Sequence, residues 1–155
     1  MNHLGFSLVE VMVASMITGI ALMGIMGVMD IASREMHQGS VSLRALALAQ
    51  GRLEAKRSVR WQALLEDDVD HDGIRETFMN DDGVNGDLIA GDGIFTAVQD
   101  HDDVTLVWTL QPDPFGPLKS AALVVLRVTA SYPGYNGLQQ LQMATIRANP
   151  TFVGQ

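Results

Sequence analysis

Residues Gly5 to Met29 read GFSLVEVMVASMITGIALMGIMGVM, an apolar stretch whose one ionisable side chain is Glu10. From Val11 to Met29 no side chain is ionisable, and as a helix this run extends about 28 Å. The hydrocarbon core of a bilayer is roughly 30 Å thick, so the stretch predicts a membrane-spanning helix. A glutamate inside such a helix costs about 2 to 3 kcal/mol in lipid, which makes Glu10 the first candidate functional residue.

The hexapeptide GFSLVE of residues 5–10, followed at once by the apolar run, resembles the processing site of type IV prepilins and of the pseudopilins of type II secretion. The resemblance covers roughly residues 1 to 62. It implies that a prepilin peptidase and N-methyltransferase cuts after Gly5 and methylates the new N-terminal residue, Phe6. It also implies that Glu10 acts in subunit assembly.

Elementary electrostatics agrees with this role for Glu10. Cleavage after Gly5 leaves a cationic amine on Phe6, one helical turn from the carboxylate. In a filament the amine of one subunit can pair with Glu10 of an adjacent subunit. The pair would set the axial register, because a slip buries an unpaired charge at a cost of several kcal/mol. We therefore interpret Glu10 as an assembly residue and not as a catalyst.

Composition narrows the function classes. The formal net charge of −8 argues against nucleic acid as a general partner. The chain has no cysteine, so no disulfide staples a secreted domain, although many pilins carry one near the C-terminus. No phosphate-binding glycine loop, nucleophile elbow or zinc-protease motif occurs, and we predict that the protein is not an enzyme.

The charges beside the predicted membrane helix and the resemblance indicate opposite orientations for that helix. The segment Met1 to Gly5 has no Lys or Arg, and Arg34 on the far side of the apolar run by itself favours a cytoplasmic C-terminus. The resemblance implies the opposite orientation: a single-pass inner-membrane protein with its C-terminal domain in the periplasm, later in a pilus at the cell surface. The orientation therefore rests on the resemblance.

The predicted fold is α+β and pilin-like, a lollipop in which one long N-terminal helix packs on a C-terminal antiparallel sheet of three to four strands. No proline interrupts the helix before Pro112, so it can continue to about Trp61. Alternating apolar residues predict strands over 104–110, 121–131 and 138–148. The predicted segments are a leader (1–5), a transmembrane or filament-core helix (6–33), an amphipathic helical spine (34–62), an acidic Gly/Asp-rich loop region (63–103) and the sheet (104–155).

Two faces of the spine stand out. One is an apolar stripe that we expect the sheet to cover, made of Leu43, Leu46, Ala47, Ala49, Gln50 and Leu53. The other is a basic ridge, which is either a solvated helix face or a partner-binding surface for acidic loops of neighbouring subunits. The ridge consists of Arg52, Lys56, Arg57 and Arg60.

The acidic region contains a candidate calcium loop. Residues 66–103 hold 13 of the 18 acidic residues, and residues 68–73 follow the pattern D-x-D-x-D-G. In calcium loops alternate carboxylates converge on one ion, and the glycine allows the sharp turn. The candidate Ca²⁺ ligands are Asp68, Asp70, Asp72, the Ile74 carbonyl and Glu76. The bidentate glutamate of an EF-hand is missing, because Met79 stands at its position, and a solvated acidic turn is the other interpretation.

Taken together, these features favour a minor type IV pilin that enters a pilus or primes its assembly. Its partners would be other pilin subunits, the prepilin peptidase, an inner-membrane assembly platform and membrane lipid. A pseudopilin of a type II secretion system is the first alternative. A membrane-anchored module for calcium binding, adhesion or DNA uptake, with the basic ridge as its contact surface, is the second.

Overall fold

A computed structural model describes residues 7–68 and 72–151. Helix α1 (Leu8–Ser58) is followed by a short 3-10 helix (Trp61–Ala63) and a second lies at Leu118–Ser120. The strands are β1 (Glu66–Asp67), β2 (Thr77–Phe78), β3 (Phe95–His101), β4 (Val104–Asp113), β5 (Leu123–Gly134) and β6 (Gly137–Ala148). The chain divides into two compact units, Met1–Ser40 and Val41–Gln155.

The described part of the first unit is residues 7–40, which contain the apolar part of α1 and a short polar stretch after it. Ser7 begins the helix as its N-cap, since its hydroxyl oxygen accepts a hydrogen bond from the Val9 N–H at 3.2 Å. The large apolar side chains that follow are exposed, with Leu8 and Met23 each 76% exposed. An apolar surface on all sides of a helix needs lipid or other helices to cover it. Asp30 and Arg34 form an exposed ion pair of 2.7 Å where this apolar surface ends.

The second unit is built on a four-stranded antiparallel sheet in the order β3-β4-β5-β6, beside a two-stranded sheet of β1 and β2. The predicted inward residues of β4 and β5 alternate as expected and are buried: Val104, Leu106, Trp108, Leu110, Val124, Leu126, Val128 and Ala130. The last turns of α1 cover this face. The predicted α+β class, with a long helix packed on an antiparallel sheet, is thus confirmed.

The helix face that packs on the sheet differs from the predicted apolar stripe. Ala45 and Ala49 are fully buried and Leu53 is nearly so, while Leu43 and Gln50 are exposed. Two alanines one turn apart bring the helix backbone close to the sheet, which a leucine at either place would prevent. The helix therefore contacts the sheet with its small residues, and the stripe was wrong at Leu43, Gln50 and the exposed Ala47.

The region 63–103, expected to be loop, contains three strands. Glu66 pairs with Phe78 and Asp67 with Thr77, so β1 and β2 form a short hairpin. The larger correction is β3, which pairs with β4 along its whole length and forms one edge of the main sheet. Its residues FTAVQDH are ordinary strand residues that the acidic composition around them obscured. Helix α1 also ends earlier than predicted, because Arg60 takes an extended conformation (φ −64°, ψ 150°) before Trp61.

Candidate functional site

Glu10 lies in the first turn of α1 and is exposed. Beside it one helix face carries the small side chains Ala14, Ser15, Thr18 and Gly19. The hydroxyls of Ser15 and Thr18 donate to backbone carbonyls of the same helix at 2.8 Å, so they add no unpaired polar group to this face. Small residues in a membrane helix allow a second helix to approach closely. The predicted processing residues, Gly5 and Phe6, lie outside the described residues.

The predicted basic ridge is wrong for two of its four residues. Arg57 and Arg60 are exposed as expected. Arg52 and Lys56 are buried, with exposed fractions of 7% and 1%. They occupy the inward face because they follow the buried Ala49 by three and seven residues, which returns a helix to the same side.

The two buried cations share the carboxylate of Asp67, itself 4% exposed. Lys56 Nζ lies 2.8 Å from Asp67 Oδ2, and Arg52 NH1 lies 3.3 Å from Oδ1. The indole N–H of Trp108 donates to Oδ2 at 2.9 Å, and the Arg52 guanidinium stacks 4.5 Å from the centre of the Trp108 ring. Arg52 also donates to the side-chain oxygen of Gln99 at 2.7 Å. This buried network joins α1, β1, β3 and β4.

Lys56 is satisfied by more than one acceptor. Its ammonium donates to the carbonyls of Leu64 at 2.6 Å and Glu66 at 3.3 Å. Burial lowers the pKa of Lys56, the attraction of Asp67 opposes that change, and repulsion from Arg52 adds to it. These contacts stabilise the fold of the second unit and leave no room for an outside partner at Lys56.

Asp67 is the key residue that sequence analysis missed. It lies in a run of acidic residues expected to be solvated, and nothing local distinguishes it from Asp68. A signal was nevertheless present on the helix. One helix face contains Ala45, Ala49, Arg52, Leu53 and Lys56, which recur at helical spacing. The two cations on this face must therefore point toward the sheet, and they require a buried carboxylate.

Three of the predicted calcium ligands come together in the β1–β2 hairpin. Carboxylate oxygens of Asp68, Asp72 and Glu76 lie within 4.8 Å of one another. The Glu76 N–H donates to the Asp67 carbonyl at 3.0 Å, which ties this loop to the buried network. Asp68 Oδ1 is buried and has no hydrogen-bond partner among the described residues. Of the other two predicted ligands, Ile74 donates its N–H to Asp72 Oδ1 at 2.7 Å, and Asp70 lies outside the described residues.

A second acidic cluster follows, in which Asp81, Asp87 and Asp92 also lie within 4.8 Å of one another. Backbone N–H groups occupy its carboxylates. Asp81 accepts from residues 91, 92 and 93 at 2.6 to 3.1 Å, and Asp87 Oδ2 accepts from Gly83 at 2.6 Å. These contacts hold a tight turn, which explains why several glycines there have positive φ.

Comparison with curated proteins gives no significant match, and comparison with solved structures gives none either. Among family models, that of the prokaryotic N-terminal methylation motif matches residues 1–26. The match includes the GFSLVE hexapeptide and most of the apolar run of α1. Helix α1 is also long and apolar enough to cross a membrane, by length and composition. The chain therefore carries at its N-terminus the prokaryotic N-terminal methylation motif of type IV pilin-like proteins.

Proposed function

We propose that this protein is a minor type IV pilin, a structural subunit that prepilin peptidase processes and that then joins a pilus or primes its assembly. The observation that carries the proposal is the methylation motif at residues 1–26, continuous with an apolar run to Met29 that contains one glutamate, Glu10. The apolar side chains of this run are exposed on every side of the helix, which is unfavourable in a soluble domain.

The two units have different tasks in this proposal. The first unit holds the subunit in the inner membrane and later packs against the same helix of other subunits. The second unit folds in the periplasm around its own core and travels with the filament to the cell surface. Its core needs no disulfide, because helix and sheet are joined by apolar packing and by the buried Lys56–Asp67 pair.

Glu10 is the assembly residue of this mechanism. Once the segment that ends at Gly5 is removed, the amine of Phe6 is a cation. Glu10 of one subunit then pairs with the Phe6 amine of an adjacent subunit. In the membrane both charges lie near the interface, and in the filament core their pairing replaces lost hydration. The small residues on the Glu10 face let two helices approach closely enough for that contact.

Arg57 and Arg60 remain the partner-binding part of the predicted basic ridge. Both are exposed, and the acidic loops of neighbouring subunits are chemically suited to them. A DNA-uptake surface built on this ridge would have only these two cations, since Arg52 and Lys56 are buried, and it would need more. The net charge of −8 also opposes nucleic-acid binding.

Mass spectrometry of the mature N-terminus tests the proposal. Protein from the membranes of its host should begin at Phe6 and carry one N-methyl group, and deletion of the peptidase should restore Met1. A mature chain that keeps Met1 in the wild-type host would reject processing and with it the filament assignment.

A pseudopilin of type II secretion is the alternative subunit type, and deletion of the gene separates the two. Loss of surface pili with normal protein secretion supports the pilin, and loss of secretion with normal pili supports the pseudopilin. Neighbouring genes for pilus assembly or for secretion give an independent answer.

Calcium binding by the β1–β2 hairpin is a second candidate function. It is favoured by the buried Asp68 oxygen, which has no donor among residues 7–68 and 72–151 and lies beside two more carboxylates. Oxygen ligands of this kind suit Ca²⁺. Millimolar Ca²⁺ should raise the melting temperature of the full chain in detergent, and Asp68→Asn should remove the increase. Asp103→Asn, an exposed change of equal charge, is the matched control. No increase in the parent protein would exclude the site.

A further inference from the structure

A small pocket lies between β2 and the edge strand β3. The chain just after β2 is joined to β3 by the isolated bridge between Asn80 and Thr96, and the two strands are not otherwise paired within the described residues. Asp82, Val84 and Asn85 of the following loop also line the pocket, which has a volume of about 270 Å³. Drug-sized ligands occupy pockets of roughly 300 to 1,000 Å³, so this pocket suits one small ring.

The lining of the pocket is mainly polar and contains no basic side chain. Its polar residues are Thr77, Asn80, Asp82, Asn85, Thr96 and Asp100. The two amide side chains and the Thr77 hydroxyl make no hydrogen bond within the described part of the chain. Each carboxylate has one oxygen in use, because Asp82 Oδ1 accepts from the Val84 N–H at 3.1 Å and Asp100 Oδ1 accepts from the Thr105 hydroxyl at 2.7 Å. Hydroxyl and amide donors, with amide and carboxylate acceptors, thus remain for a ligand.

Thr96 gives a further indication of a ligand. It is 5% exposed, and its hydroxyl has no hydrogen-bond partner among residues 7–68 and 72–151. Its methyl group faces the loop, since Cγ2 lies 3.7 Å from the position that a Cβ on Gly86 would take. Buried polar groups are nearly always paired with protein, water or ligand. A hydroxyl held in this way at the wall of a pocket is available to a bound molecule.

An aromatic ring completes the pocket. Phe78 lines it and is 56% exposed, although the residue is paired with β1 in the hairpin. An aromatic ring beside donors and acceptors matches a ligand with a C–H face and hydroxyls around its edge, which is the structure of a pyranose. The C–H groups of such a ring are attracted to the negative face of an aromatic ring. Each sugar hydroxyl both donates and accepts, so it matches the mixed polar lining.

Other ligand classes fit the lining less well. An anion would meet two carboxylates, with no basic side chain in the lining to offset their repulsion. A simple cation would pair with the carboxylates and leave the amide and hydroxyl donors without an acceptor. An apolar ligand would leave all of these polar groups unpaired. The lining therefore favours a neutral ligand that carries several hydroxyls.

We propose that this pocket binds one neutral pyranose. Phe78 stacks against the C–H face of the sugar, Thr96 and Asn80 hydrogen-bond its hydroxyls, and the free oxygens of Asp82 and Asp100 accept from them. The inference goes beyond the proposed function, because assembly of a pilus subunit does not need a sugar. The site would act equally in a subunit that stays in the membrane, so it does not depend on the filament assignment.

Saturation-transfer NMR on the full chain, in a detergent without a sugar headgroup, tests the site. The probes are glucose, galactose, mannose and N-acetylglucosamine at millimolar concentration, and at least one should receive saturation at its ring protons. Phe78→Ala should weaken that binding about tenfold. Thr96→Val, which replaces the hydroxyl by a methyl group, should weaken it about fivefold. The matched control is Phe115→Ala, which removes a ring that is 64% exposed outside the pocket and should leave binding unchanged.

Absence of transfer to all four sugars in the parent chain would overturn the proposal. Full binding in both Phe78→Ala and Thr96→Val would also overturn it, since the sugar would then lie elsewhere. Phe78→Tyr keeps the aromatic face and should bind as the parent does, and a loss there equal to that of Phe78→Ala would contradict stacking. Tighter binding of agmatine, a cation, or of sialic acid, an anion, than of the neutral sugars would overturn the ligand class. Methyl glycosides show the source: equal binding supports the end of a glycan, and loss of binding supports a free sugar.

Discussion

Replacing Asp67 with asparagine removes the carboxylate that lies 2.8 Å from Lys56 and 3.3 Å from Arg52. Two buried cations are then left beside each other, with only neutral acceptors. Replacing Lys56 with methionine is milder, because Asp67 keeps the Arg52 guanidinium and the Trp108 N–H. Breaking a buried ion pair costs about 3 to 5 kcal/mol. We expect about 5 kcal/mol for Asp67→Asn and about 3 kcal/mol for Lys56→Met.

Tryptophan fluorescence of the full chain in detergent, followed through a guanidinium titration, measures these losses. Both tryptophans, Trp61 and Trp108, belong to the second unit, so the signal reports unfolding of that unit alone. Arg57→Met is the control, since it removes an exposed charge from the same turn of α1 and should cost less than about 0.5 kcal/mol.

The double variant Lys56→Met with Asp67→Asn removes both charges of the pair. It should be less destabilised than the sum of the single variants, because Arg52 is then the one buried cation left without the carboxylate, where Asp67→Asn alone leaves two. Additive losses, or a Lys56→Met loss equal to that of Asp67→Asn, would refute the assignment of Asp67 as the shared counter-ion.

The same pair predicts a pH dependence. Burial lowers the pKa of Lys56 below its ordinary value of 10.5. Between the lowered pKa and 10.5 the folded state binds fewer protons than the unfolded chain, so the free energy of unfolding rises with pH in that window. The rise should be missing in Lys56→Met. A parent protein whose stability falls there relative to Lys56→Met would contradict the direction of the shift.

Three further predictions concern other parts of the chain. Gly86→Ala should cost about 2 to 3 kcal/mol, because φ is +89° and the new Cβ would lie 2.6 Å from Val98 Cγ2; Gly91→Ala, at φ +77° in open space, should cost only about 1 kcal/mol in the same titration. Arg147→Met should cost about 2 kcal/mol by denaturation, since it removes charged hydrogen bonds to two carbonyls at the end of α1. Glu10→Gln should leave N-terminal processing unchanged and reduce the chain in sheared filaments about tenfold; normal incorporation would contradict its role in register.

Local patterns were enough to predict the main elements. The apolar run identified α1, and alternation identified β4, β5 and β6, because each of these signals lies in residues a few positions apart. The first edge strand, β3, was missed. Its seven residues sit between acidic turns, and their role depends on pairing with β4, which is not a local property.

Some candidate site residues could likewise be predicted from local sequence, and others could not. Glu10 was recognisable from sequence because a carboxylate in an apolar helix is anomalous wherever the helix goes. Arg57 and Arg60 were correctly expected at the surface, while Arg52 and Lys56 were not recognised as buried. Two charges four residues apart have the same spacing in the sequence on a solvated helix face and on a buried one, so the spacing does not show which face they occupy.

The sequence by itself determined that this protein has an N-terminal methylation motif, an apolar run with one acidic residue, and a sheet with one apolar face. Only the tertiary structure decided which charges are buried and which are free to meet a partner. Burial of a cation is tolerated when a carboxylate of another element lies within reach, as Asp67 of β1 does for Lys56 of α1, and that distance is set by the packing of the two elements.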